Sequence, residues 1–158
     1  MMGLSPILIG LTVFLIAATT VTAGALSPKV RPIFAFGVLV MMAGIYVGFS
    51  IIAFDSADYA SRAVISVLLV ESLAALSFMF AGIAVLASGR VWMLGVLILI
   101  HGAFDLGHMV MAAAHSPAWY EFLCLIYDAV VGFAFIYLLS EKPALDGVTR
   151  NPEVAPSQ

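Results

Sequence analysis

Long apolar runs separated by short polar breaks dominate the chain. The runs cover residues of about 5–27, 33–54, 63–88, 91–114 and 119–140, with breaks such as SPKVRP, DSADYASR and SGR between them. Each run is close to the ~20 residues that an α-helix needs to cross the hydrocarbon core of a bilayer. The pattern predicts an all-α integral membrane bundle of five transmembrane helices, formed by residues 1–140 as a single domain.

Composition agrees with this class of protein. The 158 residues are 64% hydrophobic and only 9% charged, and the mean hydropathy is +1.18. A soluble domain needs more charge to cover its surface. The net charge of -3 comes without a basic patch, so we expect membrane lipids as surroundings and no nucleic acid as a partner. The single cysteine excludes an internal disulfide.

Loop charges predict the orientation of the helices. By the positive-inside rule, the side with more lysine and arginine is cytoplasmic. The N-terminus is then outside and the C-terminus inside, and the tail 141–158 is a flexible cytoplasmic segment. We expect a multi-pass protein of the bacterial inner membrane. The residues on the positive side are Lys29, Arg31, Arg90, Lys142 and Arg150, and Arg62 alone falls on the other side.

Short loops make neighbouring helices antiparallel, so the five helices should pack as one bundle. Small residues allow helices to approach closely in membranes. The segment GIYVG therefore predicts a close-packing face at Gly44 and Gly48, and Gly102 and Gly107 predict a close approach in the fourth helix.

Ionisable residues interrupt the last three apolar runs. Glu71 lies in the third, His101, Asp105 and His108 lie in the fourth, and Asp128 lies in the fifth. At 100° per residue, the three fourth-helix residues fall within an arc of roughly 60°. Glu121, Cys124 and Asp128 share a similar arc on the fifth helix. The two polar stripes predict one shared interior face.

The depths of these groups also coincide. Counted from the outer helix ends, Glu71 lies roughly 13 Å deep, and Asp105 and Asp128 lie roughly 15 Å deep. His108 lies roughly 10 Å deep and His101 roughly 21 Å deep. Ionisable groups at this depth cost several kcal/mol and usually have a function. The sequence thus predicts an intramembrane polar site.

The segments HGAFDLGH and SPAWYEFLCLIYDAVVGFAFIY resemble a family of small, uncharacterised bacterial membrane proteins. The resemblance covers the last third of the chain, and Met109 stands after His108 where the family pattern has paired histidines. The family has no established activity, so the resemblance implies a site and no reaction. The matching positions are His101, Asp105, His108, Pro117, Cys124 and Asp128.

One interpretation of the polar site is a metal centre. Histidine and carboxylate are good ligands for zinc or iron, and the candidates are His101, Asp105, His108 and Asp128. His101 and His108 are two turns apart, so one ion would use Asp105 with one of them, completed by Asp128 or Glu71. The HExxH zinc motif is absent.

A second interpretation is metal-free acid–base catalysis by Asp105, Asp128, Glu71 and His101. A carboxylic acid beside a basic histidine is a donor–acceptor pair for proton transfer. Such a site would suit an isomerase or cyclase, or hydration of an isoprenoid or other lipid. An apolar bundle would shield a reactive intermediate from water.

Two non-enzymatic interpretations remain open. The polar groups could form a proton or ion pathway, for which so small a chain would need a homo-oligomer, or they could join helices as polar glue in a subunit of a larger complex. A closed apolar cavity beside the polar stripe would favour an enzyme. A continuous row of polar groups across the membrane would favour conduction. Polar side chains that are all paired with one another, with no cavity, would favour a purely structural role in joining helices. We favour a small membrane enzyme acting on a lipid-soluble substrate.

Four other residues receive simpler interpretations. We expect His115 to be a solvated loop residue and Glu121 to lie at the membrane interface. We expect Cys124 to pack in the core, because an unactivated buried thiol is inert. Tyr127 could equally be a packing aromatic or a hydrogen-bond donor to the site.

Overall fold

A computed structural model of the protein describes residues 5–56, 62–110 and 117–140, and the regular structure there is entirely α-helical. The helices are α1 (Pro6–Ala25), α2 (Arg31–Ser56), α3 (Arg62–Ser88), α4 (Met93–Val110) and α5 (Ala118–Ser140). Four of them, α1, α2, α3 and α5, are long and apolar enough to cross a membrane, and α4 is apolar over the shorter stretch Met93–Gly107. The predicted all-α bundle of five helices is confirmed, and the protein is a multi-pass membrane protein. The predicted flexible tail lies outside the described residues.

Local sequence signals define the helix ends. Pro6 occupies the first turn of α1, where its missing N–H removes no intrahelical hydrogen bond. Gly89 follows α3 with a φ of 71°, a left-handed conformation that ends helices and favours glycine. The Arg31 guanidinium donates to the carbonyl oxygens of Leu26 and Gly24, each at 3.0 Å. These bonds satisfy carbonyl groups that the end of α1 leaves without helical partners.

The order of the helices along the chain does not by itself predict which of them pack together. The most extensive packing joins α4 to α5 and α2 to α3, as expected for antiparallel neighbours. The first helix, however, packs mainly on α5 and touches α2 only sparingly. Smaller contacts of α4 with α2 and α3 join the two pairs. The interior of the bundle therefore lies between the α2–α3 pair and the α4–α5 pair.

Glycines bring α4 and α5 into backbone contact. A Cβ atom built on Gly95 would lie 2.6 Å from the Gly132 carbonyl oxygen, and one on Gly102 would lie 3.0 Å from the Asp128 Cβ. The close approach predicted at Gly102 is therefore confirmed, whereas nothing lies within 4 Å of a Cβ at Gly107.

The close-packing face predicted at Gly44 and Gly48 is wrong within the chain. A Cβ atom on either glycine would meet nothing within 4 Å. The segment GIYVG has the right residue spacing, but α2 is rotated so that Tyr46, between the two glycines, is the residue that enters the core with 1% of its surface exposed.

Apolar side chains fill the end of the bundle that carries the α1–α2 and α3–α4 turns, which we call the turn end. Leu39, Leu94, Ile98, Val131 and Phe135 are buried there, with at most 1% of their surface exposed. Large apolar side chains also cover the outside of the bundle, as expected for a surface in contact with lipid. More than half exposed are Ile7, Val21, Ile33, Phe80, Phe133 and Tyr137.

Candidate functional site

A histidine of α4 and an aspartate of α5 form a buried pair across the seam between the two helices. The His101 Nδ1 atom lies 2.7 Å from the Asp128 Oδ2 atom. The two side chains are 1% and 0% exposed. The small residue Gly102 lets the α4 backbone approach Asp128 at this level, which brings the imidazole within hydrogen-bond distance of the carboxylate.

Asp105 extends this pair into a three-residue cluster. It lies one turn after His101 on α4, and its Oδ1 atom is 3.8 Å from the His101 Nδ1 atom, which is beyond hydrogen-bond distance. Asp105 is fully buried, and one nitrogen or oxygen of each residue lies within 4.8 Å of those of the other two. The shared face predicted from the two helical stripes thus holds for His101, Asp105 and Asp128, which we call the His/Asp cluster.

Aromatic rings enclose the cluster. The His101 ring lies between Phe78, with centroids 5.2 Å apart, and Tyr46, with centroids 5.9 Å apart. The Tyr46 hydroxyl is in electrostatic contact with the Asp105 carboxylate. Sequence reasoning missed Tyr46 as part of the site. Tyr46 could have been recognised because it lies in the middle of an apolar run, away from the membrane interface that tyrosine prefers.

Glu71 lies near the cluster without joining it. The side chain is 3% exposed and lines a gap between α2, α3 and α4 that is too narrow for a water molecule. Tyr46, His101 and Phe104 line the same gap. Among the described residues, the tight group of possible metal ligands contains the His/Asp cluster and not Glu71. The structure thus places Glu71 beside His101, whereas the predicted depths placed it level with Asp105 and Asp128. Its role in the site stays a prediction.

The remaining candidate residues have different outcomes. His115 and the side chain of His108 lie outside the described residues, so the proposed ligand role of His108 stays a prediction. Glu121 is buried in the protein, with 1% of its surface exposed, and its interfacial depth stays a prediction. It lies in the first turn of α5, where the helix dipole favours a negative side chain.

An apolar cavity of about 290 Å³ lies beside the cluster, between α1, α2 and α5. Its volume is at the lower end of the ~300–1,000 Å³ typical of small-molecule sites. Tyr120 and Cys124 of α5 line it, and each also lies close enough to Asp105 and Asp128 to interact with them electrostatically. These two side chains therefore form the wall between the cavity and the His/Asp cluster. Cys124 lines the cavity and is partly exposed, which differs from the core packing expected of it.

The residues of the cavity come from three helices. Tyr127 also lines it, and its hydroxyl lies 2.7 Å from the Thr19 hydroxyl of α1. Tyr127 packs against the hydrophobic core, as one of its two interpretations predicted, and its hydroxyl bonds to Thr19 rather than to a residue of the His/Asp cluster. The complete lining is Leu8, Leu11, Thr12, Leu15, Thr19, Met41, Met42, Ile45, Trp119, Tyr120, Leu123, Cys124 and Tyr127.

No protein-family model, no curated protein and no solved structure matches the chain. The chemistry of the cluster is therefore the guide to function. One imidazole and two carboxyl groups can exchange protons among themselves, and the same atoms are suitable ligands for zinc or iron. Two ligands of a tetrahedral zinc ion are about 3.3 Å apart. The 2.7 Å between His101 and Asp128 is the spacing of a hydrogen bond, so the pair would have to open slightly to hold an ion.

Proposed function

We propose that the protein is a small integral membrane enzyme that performs acid–base chemistry on a lipid-soluble substrate. The observation that carries this proposal is the fully buried His/Asp cluster, one side-chain layer away from an apolar cavity. Groups that transfer protons in such surroundings act without competition from bulk water. The apolar cavity, which is open to the lipid side rather than closed, supports an enzyme over a purely structural role of the polar groups.

Each residue of the cluster would have a separate role. Asp128 holds His101 through the 2.7 Å contact and fixes the orientation of its ring, and His101 serves as the proton acceptor. Asp105 serves as the proton donor. The hydroxyl of Tyr120, which contacts both carboxyl groups electrostatically, would pass protons between the cluster and the cavity. Tyr46 contacts Asp105 and packs on His101, so it would position both residues.

The reaction class that needs no further reactant is isomerisation. One proton leaves a substrate carbon and passes through the Tyr120 hydroxyl to His101, and Asp105 returns a proton by the same route to another carbon as the double bond shifts. Cyclisation follows the same scheme, and hydration adds only water. The electrons and protons balance in each case without an oxidant or a reductant.

The turn end of the bundle argues against a proton pathway. Ile98 lies one turn below His101 on α4, and Val131 and Phe135 follow Asp128 on α5. All three are buried apolar side chains in a packed core. A hydrogen-bonded chain that conducts protons through the membrane would need polar groups or water at these positions. This packing supports chemistry at the cluster over conduction through it.

A metal centre is the second candidate, and the compact set of one nitrogen and two carboxylate oxygens favours it. A bound zinc or iron ion would act as a Lewis acid on a substrate oxygen. His101, Asp105 and Asp128 would hold the ion, and His108 is a further candidate ligand from the sequence.

We also propose that the protein resides in the bacterial inner membrane with its N-terminus outside, because the positive residues fall on one side.

Deuterium incorporation tests the proposed function and does not require the substrate to be identified first. Purified protein would be incubated in bilayers of total bacterial lipid extract in heavy water, and the lipids would then be analysed by chromatography and mass spectrometry. Isomerisation, cyclisation and hydration all place a solvent-derived hydrogen on the substrate. We expect a deuterated species with wild-type protein that is absent with Asp105→Asn and Asp128→Asn.

Ser50→Ala is the matched control, because Ser50 is also a buried polar residue but donates its hydroxyl to the Tyr46 carbonyl of its own helix. This variant should label lipid like the wild type. Equal labelling by the wild type and both aspartate variants, or no labelling by any of them, would overturn the proposed function.

A further inference from the structure

The cavity has a defined direction along α1. It extends from Leu8 to Thr19, eleven residues apart and therefore about 16 Å along the helix axis. On α5 it extends from Trp119 in the first turn to Tyr127. Below Thr19 the interface between α1 and α5 closes to a gap with no room for water. The cavity thus has a deep end at Thr19 and Tyr127.

The side of the cavity faces the lipid-exposed surface of the bundle. Leu11 of α1 is 51% exposed and Met41 of α2 is 57% exposed, and both line the cavity. Because α1 packs on α5 and only sparingly on α2, the opening lies between α1 and α2. A ligand dissolved in the bilayer could enter here without crossing water.

The lining of the cavity excludes charged ligands. None of its residues carries a charged side chain, and its polar groups are hydroxyls, one thiol and the indole N–H of Trp119. A charged headgroup would lose its hydration without gaining a counter-ion, which is costly in such surroundings. The occupant that fits is a neutral molecule with a long apolar part.

The deep end offers a hydrogen-bond donor. Thr12 and Thr20 of α1 donate their hydroxyls to carbonyl oxygens of their own helix, at 3.0 and 2.8 Å. Thr19 instead makes a 2.7 Å hydrogen bond with the Tyr127 hydroxyl across the helix interface. Two hydroxyls carry two hydrogens, and this bond uses one of them. The second hydrogen is available to an acceptor on a ligand. The deep end thus offers one hydrogen-bond donor and no cation among the residues that line it, and this combination favours a neutral oxygen acceptor.

We propose that this cavity binds a neutral, lipid-soluble ketone whose carbonyl group lies near one end of an apolar chain. The carbonyl oxygen lies at Thr19 and Tyr127, and the chain extends along α1 towards Leu8. This ligand class is the substrate class of the proposed enzyme, and in that respect the inference rests on the proposed function. Binding itself requires only the cavity.

Cys124 provides a direct probe, because it lines the cavity and is the single cysteine of the chain. The rate of its reaction with N-ethylmaleimide would be measured for detergent-solubilised protein with increasing 2-undecanone. Undecane, which has the same chain without the oxygen, and 6-undecanone, with the oxygen in the middle, are the matched ligands. We expect 2-undecanone to protect Cys124 at a concentration about fivefold lower than either of the others.

Variants identify the donor. Thr19→Val and Tyr127→Phe each remove one hydroxyl, and we expect each to weaken protection by 2-undecanone about fivefold. Thr20→Val is the control, because Thr20 lies next to Thr19 outside the cavity lining and its hydroxyl is bonded to the Ile16 carbonyl. It should leave protection unchanged. Trp119 fluorescence in a Trp92→Phe background gives a second measure of binding in every variant.

Three results would overturn the proposal: equal protection by 2-undecanone and undecane, no protection and no fluorescence change with any of the ligands, or equal weakening by Thr20→Val and Thr19→Val. The proposed function is tested separately by Asp105→Asn. That variant should bind 2-undecanone like the wild type while losing deuterium incorporation. If the wild type binds 2-undecanone as expected but incorporates no deuterium into lipid, the ketone site is supported and the proposed enzymatic function is overturned.

Discussion

Gly95 of α4 and Gly132 of α5 lie so close that a Cβ atom on Gly95 would come within 2.6 Å of the Gly132 carbonyl oxygen. The Ile136 backbone nitrogen is equally close to that position, so the obstacle is rigid backbone rather than a flexible side chain. The same seam carries His101 and Asp128 two turns further along α4. The spacing of α4 and α5 therefore sets the geometry of the His/Asp cluster.

A methyl group at this seam should destabilise the bundle. We expect Gly95→Ala to cost about 1–3 kcal/mol, the usual range for overpacking a well-filled interior. Gly44→Ala is the matched control, since it makes the same chemical change on a helix where a Cβ meets nothing within 4 Å. Thermal unfolding in detergent compares the two, and equal midpoints would contradict the backbone contact described for α4 and α5.

The pair of His101 and Asp128 predicts a graded effect of substitution. Asp128→Ala leaves a buried imidazole nitrogen without its partner and should cost about 1–3 kcal/mol. Asp128→Asn retains an oxygen acceptor and should cost less. Unfolding free energies of the two variants, with Ser50→Ala as a control for loss of a buried polar group, measure the difference. Equal stability of Asp128→Ala and wild type would contradict a stabilising contact.

The acid–base proposal predicts that activity does not depend on a metal. Protein prepared without chelators should contain zinc and iron well below one equivalent, and Asp105→Ala should not change that content. Lipid deuteration should also survive treatment with a chelator. Elemental mass spectrometry gives the result directly, and near-stoichiometric zinc or iron that disappears in Asp105→Ala and Asp128→Ala would favour the metal centre instead.

The loop charges predict which connections face outwards. Single cysteines at Pro117 and at Ser27, both exposed, can be compared in a Cys124→Ala background. A membrane-impermeant maleimide added to intact cells should label Pro117→Cys, whereas Ser27→Cys should react only after the membrane is permeabilised. The reverse pattern would place the N-terminus in the cytoplasm.

Hydropathy alone was sufficient to predict the helices, because each apolar run must satisfy its own backbone hydrogen bonds in lipid. The first span, predicted at about 5–27, is Pro6–Ala25 in the structure. The meeting of His101, Asp105 and Asp128 was also predictable, since residues three and four apart share one face of a helix. Polar faces of adjacent membrane helices turn inwards together.

The partners of the cluster could not be predicted in the same way. Residue numbers suggested that Glu71 lies level with Asp105 and Asp128, but its position beside His101 and outside the tight group depends on how α3 is rotated and shifted in the bundle. The rotation of α2 likewise decides that Tyr46 enters the site while Gly44 faces outwards. Side-chain packing of all five helices together determines these rotations, and weak apolar periodicity in each single helix does not fix them.

The backbone contact of α4 with α5 has a consequence for membrane insertion. Alone in lipid, α4 would expose His101 and Asp105, and α5 would expose Asp128, each at a cost of several kcal/mol. Paired through the glycine seam, the two helices bring His101 and Asp128 within hydrogen-bond distance of each other. The hairpin should therefore leave the translocation machinery as one unit. Assembly of the protein would then be the docking of this finished hairpin onto α1, α2 and α3.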